Sequence, residues 1–96
     1  MKKTIKQIVG IDVAQKELVV CYGKLYDDWT IEFLSQTAFP NTTKGFVQLL
    51  NWSKKLNNNN ETELSYVCEA TGVYHESFVY FLTAQQCKVS VVLPSV

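Results

Sequence analysis

Residues 7–23, QIVGIDVAQKELVVCYG, constrain the fold more than any other stretch. Val, Ile and Leu favour extended backbone, and here they form two runs separated by Ala14-Gln15-Lys16. A connection this short joins antiparallel strands, because a parallel crossover needs a much longer link. The stretch therefore reads as a hairpin, with strands over Lys6 to Val13 and Glu17 to Tyr26. Ile8, Val9, Ile11 and Val13 fall on both faces of the first strand, which predicts a central strand covered on both sides. Asp12 conflicts with that expectation, since an unpaired carboxylate is costly to bury. Either it caps the turn at Ala14-Gln15, or a partner is brought to it from elsewhere in the chain.

The remaining elements follow from punctuation and period. Asp27-Asp28 marks a turn, and Trp29 to Phe39 reads as a third strand stopped by Pro40. Short links between the three strands predict a meander. Asn41 or Thr42 is placed to cap a helix in which Phe46, Leu49, Leu50 and Leu56 form the apolar stripe, with Val47 and Trp52 beside it. Lys54 and Lys55 suit its negative end, and Asn57 to Asn60 form a loop. Leu64 to Glu69 is a fourth strand. A second helix is predicted over Tyr74 to Gln86, capped by Thr71 or Gly72, with Tyr74, Phe78, Phe81 and Leu82 as its stripe and Glu76 in its first turn. Lys88 to Leu93 is a fifth strand, ended by Pro94. The order β-β-β-α-β-α-β predicts an α/β, ribonuclease-H-like domain with one mixed five-stranded sheet and two helices.

Composition narrows the function. The chain is 47% hydrophobic and 19% charged, typical of a globular domain. No apolar run is long enough for a membrane span, and the N-terminus does not read as a signal peptide, so a cytoplasmic protein is expected. Nine lysines balance nine acids, and there is no arginine. Tight nucleic-acid binding by this chain alone is therefore disfavoured. Lys2, Lys3 and Lys6 form the one basic cluster, read as a solvated end. Cys21, Cys68 and Cys87 have no paired spacing and read as buried, reduced thiols, and the single His75 argues against zinc.

Asp12 near the end of the first strand and Glu69 at the end of the fourth converge on one rim if those strands are parallel neighbours. A hard divalent cation, Mg²⁺ or Mn²⁺, would relieve their repulsion through oxygen ligands. The structural alternative is that Asp12 caps a turn and Glu69 caps the second helix. His75 reads either as an exposed first-turn residue or as an outer contact to the metal site, and Lys16 as a solvated turn residue sooner than a phosphate contact.

Three stretches carry a family resemblance: VGIDVAQKELVV, FPNTTKGFVQLLNW and CEATGVYHESFVYFL with VSVVLPSV. Over about residues 8–96 the chain resembles the N-terminal part of DEDD-type insertion-sequence transposases of the IS110 group, which are related to the Piv invertases. The resemblance implies a RuvC-like catalytic domain, of which residues 1–96 are the N-terminal part. Asp12 and Glu69 match the family's first two acidic residues, as catalytic and metal-binding groups. Two further aspartates would follow the fifth strand, and a C-terminal domain would carry a serine that attacks DNA. The resemblance also implies DNA as substrate, a structured guide RNA encoded by the element, a homo-oligomer and a bacterial or archaeal cell interior. A chain with half a site is expected to bind metal weakly and to cut DNA poorly or not at all.

Two other readings share the element order. An actin-like ATPase lobe also opens on a strand bearing an aspartate, but uses a glycine-rich first hairpin, whereas this turn has no glycine. A non-catalytic module for oligomerisation or RNA contact would use the sheet as a scaffold only.

Overall fold

The computed structural model describes residues 3–56, 64–69 and 74–92. Its elements are β1 (Thr4–Val13), β2 (Glu17–Tyr26), β3 (Ile31–Pro40), α1 (Thr43–Leu56), β4 (Leu64–Glu69), α2 (Glu76–Ala84) and β5 (Lys88–Val92). The strands form one sheet in the order β3-β2-β1-β4-β5. The first three strands pair antiparallel, whereas β4 pairs parallel to both β1 and β5. The long connections through α1 and α2 make those parallel pairs possible.

Register decides which side chains share a face. Val9, Ile11 and Val13 of β1 lie opposite Tyr22, Val20 and Leu18 of β2, and Val9 and Ile11 also lie opposite Tyr66 and Cys68 of β4. All of these are buried, together with Phe46, Leu49 and Leu50 of α1 and Phe78 and Leu82 of α2. Both helices therefore cover the same face. Phe46 joins them, with its ring centroid 5.3 Å from that of Phe78 and 5.6 Å from that of Phe81. A polar bridge is included in the core: the Ser53 and Tyr66 hydroxyls are 2.7 Å apart, and Ser53 also donates to the Leu50 carbonyl.

The expectation that β1 is covered on both sides fails. Ile8 and Gly10 are partly exposed and Asp12 is exposed, because no described element packs on the second face. Asp12 thus never enters the core, and its position in an apolar run reflects strand alternation with one wet face.

The ends of the elements explain the smaller differences. Trp29 sits in the turn before β3 with φ of 67°, and β3 runs on through Pro40, as an edge strand tolerates. Thr42, not Asn41, caps α1: its Oγ1 accepts from the Gly45 N–H at 3.1 Å. Gly45 is required there, since a Cβ would lie 1.8 Å from the Pro40 carbonyl oxygen. Thr71, Gly72, Asn57 to Asn60, Lys2 and Pro94 lie outside the described residues. The N-cap position of α2 is His75, so Tyr74 precedes the helix and is exposed instead of forming part of its buried stripe. At the other end Gln86 has φ of 60°, and the Cys87 and Gln86 N–H groups donate to the Leu82 and Thr83 carbonyls. This left-handed C-terminal closure ends α2 two residues before the predicted limit. Among the thiols, all free, Cys68 is buried and Cys21 and Cys87 are only half-buried.

Candidate carboxylate site at the strand ends

The last register pair between β1 and β4 is Asp12 with Glu69. Neighbouring strands run about 4.8 Å apart, and register partners project to the same face. Both side chains are exposed on the open face of the sheet. Their chain neighbours Ile11 and Cys68 are 3% and 0% exposed on the opposite face. The two strand ends are thus anchored in the core while the carboxylates stand in water.

Neither acid serves as the cap that a purely structural role requires. The turn after β1 is closed by backbone, with the Ala14 N–H donating to the Glu17 carbonyl at 2.9 Å. The N-cap position of α2 is His75, well beyond Glu69, and no side chain caps that helix. The acids do act together on one neighbour. The Cys68 thiol is pushed up to about 11, chiefly by burial and then by the negative charges of Asp12 and Glu69.

His75 is not joined to the pair. It lines a groove of about 610 Å³ between α2 and β5, with Val79, Tyr80 and Val91, and its buried Nδ1 has no hydrogen-bond partner. Lys16 contributes its carbonyl to the rim, accepting from the Asn41 N–H at 3.0 Å. Among the described residues, no group of three or more His, Cys, Asp or Glu side chains could hold a metal ion. The donor set is two hard carboxylates, suited to a cation that keeps several waters.

The IS110-type DEDD transposase family matches residues 9–96. The chain belongs to this family. Among curated relatives of the IS110-type chain are the pilin gene-inverting proteins of Moraxella lacunata and Moraxella bovis. Each is 30% identical over 89 residues, covering 93% of this chain and 26% of the relative. The chain therefore spans about a quarter of the length of the curated relatives it matches.

Solved structures give the same fold. The fowlpox virus resolvase, solved with substrate Holliday junction DNA, superposes with a TM-score of 0.65 at 16% identity, over 94% of this chain and 62% of that one. T. thermophilus RuvC with its Holliday junction substrate reaches 0.61 at 8% identity, over 92% and 66%. An Aquifex aeolicus member of the Ppx/GppA family reaches 0.55 at 14% identity, over 93% and 35%. The chain is thus ribonuclease-H-like in fold. The ATPase-lobe alternative is not favoured: the β1–β2 turn lacks glycine, and its Ala14 N–H is used in closing the turn.

Two features of the rim were missed by sequence reasoning. Asn41 reads from sequence only as a helix cap, whereas its carboxamide donates to the Ala14 and Tyr74 carbonyls. The thiol of Cys68 reads from sequence as plain core, although it lies within electrostatic reach of both acids. The second was open to inference, because Cys68 precedes Glu69 and opposes Ile11.

Proposed function

We propose that this chain supplies the first two carboxylates of a divalent-metal phosphoryl-transfer site in a DNA transposase. The observation that supports the reading is the register pair Asp12–Glu69 on an exposed sheet face, in a chain of the IS110-type transposase family. Asp12 and Glu69 would hold Mg²⁺ or Mn²⁺, which when bound neutralises charge on phosphate oxygens. The residues themselves orient the acids: burial of Ile11 and Cys68 fixes the backbone beneath them, and the open face leaves room for a phosphodiester.

Two carboxylates are few for such a site. We therefore assign the remaining ligands to other parts of a longer protein, and expect this chain alone to bind Mn²⁺ weakly and to leave DNA uncut. Its zero formal charge and lack of arginine assign the basic DNA-binding surface elsewhere as well. The family resemblance adds a structured guide RNA and a homo-oligomer as partners of the full-length protein.

The test is excision of a donor element by the full-length protein carrying Asp12→Asn or Glu69→Gln. Loss of more than roughly a hundredfold is expected, beyond what removing an outer-shell partner costs. Normal excision by either folded variant would remove that residue from the chemistry.

A further inference from the structure

Three segments near the Asp12–Glu69 rim meet at Asn41, a half-buried residue between β3 and the Thr42 cap of α1. Its Nδ2 donates to the Ala14 carbonyl at 2.8 Å and, at a longer 3.4 Å, to the Tyr74 carbonyl. Its backbone N–H donates to the Lys16 carbonyl at 3.0 Å. Ala14 follows β1 just beyond Asp12, and Tyr74 lies in the link that leaves Glu69 for α2. One planar carboxamide therefore ties the turn beyond Asp12 to the backbone of Tyr74, ahead of α2. The residue type suits this role, because an amide nitrogen carries two donor hydrogens and a hydroxyl carries one. An aspartate would place negative charge against two carbonyl oxygens. The capping role that would otherwise account for an asparagine here is already filled by Thr42.

We infer that Asn41 is a positioning residue for the carboxylate pair, tying the turn just beyond Asp12 to Tyr74 ahead of α2 so that Asp12 and Glu69 address a single cation. The inference rests on the metal-site reading above. It concerns geometry beyond the ladder: β-pairing sets the register of Asp12 with Glu69, and Asn41 ties Ala14, beyond Asp12, to Tyr74, ahead of α2.

The test is a Mn²⁺ titration of the isotope-labelled chain, followed by paramagnetic broadening of backbone amide resonances. In the unmodified chain the amides of Asp12 and Glu69 are expected to broaden together, at the same Mn²⁺ concentration. Asn41→Ala should need roughly tenfold more Mn²⁺ for the same broadening, while core resonances such as those of Leu49 and Phe78 stay in place. Asn41→Gln, which keeps the two donor hydrogens, should bring the Mn²⁺ requirement back towards that of the unmodified chain. Should Asn41→Ala not fold, Asn41→Ser, with a single donor, carries the same comparison. An unchanged Mn²⁺ requirement in a folded Ala or Ser variant would overturn the role of Asn41 and leave the metal site standing. If Asp12→Asn, run alongside, still binds Mn²⁺ as the unmodified chain does, the metal-site reading itself fails.

Discussion

Val9, Ile11 and Val13 on one face of β1 lie against the two helices, whereas Ile8, Gly10 and Asp12 on the other meet no element among the described residues. The alternation of a single strand thus separates two tasks. The covered face holds the sheet rigid through aromatic and aliphatic contacts from α1 and α2. The open face presents acids on backbone that the covered face has already fixed. Pre-positioned carboxylates need no ordering when a ligand arrives, and exposure spares them the desolvation cost that burial would impose. An acid pair on a loop would lack the first advantage, and one in the core would lack the second.

If that separation is real, equal perturbations on the two faces should have unequal effects. The largest belongs to the core. Phe78→Ala removes the ring that packs against Phe46 from a fully buried site, and should cost about 3–5 kcal/mol. That is a large part of the stability of a small domain, and a urea unfolding curve should show it. A midpoint close to that of the unmodified chain would mean that α2 is not what secures the covered face. Tyr66→Phe tests the polar part of the same face. Its hydroxyl leaves Ser53 with the Leu50 carbonyl still bonded, so the expected loss is smaller, about 1 kcal/mol. Ser53→Ala, by contrast, strands a buried phenol and should cost more than Tyr66→Phe in the same assay.

Much of this architecture was legible because period and punctuation agreed. Glu17–Tyr26 and Leu64–Glu69 have the bounds read from the sequence, since turn residues or polar runs flank them. The element order also predicted that β1 and β4 would be parallel neighbours, so the meeting of Asp12 and Glu69 at one rim was anticipated. The open second face was not, because Ile8, Val19, Cys21 and Val67 are apolar and blur the alternation that normally reveals a wet face. The end of α2 was hidden for a different reason. Its left-handed residue is Gln86, where glycine would have signalled a stop. Its start was obscured because His75 occupies the cap position without a side-chain bond. Asn41 was ambiguous in type: the residue that suits a helix cap equally suits a clamp between carbonyls, and only its neighbours in space separate the two.

On the open face the expected effects are small and one changes sign. A Cβ on Gly10 would meet nothing within 4 Å. Gly10→Ala should therefore leave packing untouched and restrict the unfolded chain, raising stability by about 0.5 kcal/mol. A fall in the urea midpoint would show that this face is more crowded than the described residues make it, and the contrast between the faces would weaken.

The finest test reads the open face from the covered one. Burial is the main cause that lifts the Cys68 thiol to about 11 from an ordinary 9.0, and the Asp12 and Glu69 charges add to it. A raised thiol favours the folded state while it stays protonated. Its contribution is complete below pH 9 and is lost as pH rises from 9 through about 11, because the unfolded chain releases the proton first. Replacing both acids, Asp12→Asn with Glu69→Gln, removes the charges but not the burial. The Cys68 Cβ resonance should then titrate at lower pH than in the unmodified chain, yet still above the ordinary thiol range, and the alkaline loss of stability should occupy a narrower pH window. A titration unmoved by the double change would place the carboxylates out of reach of the thiol, and so out of the paired position at the rim. A return to the ordinary range would make charge, not burial, the larger cause, and would mean that the covered face is wetter at β4 than its packing against the helices implies.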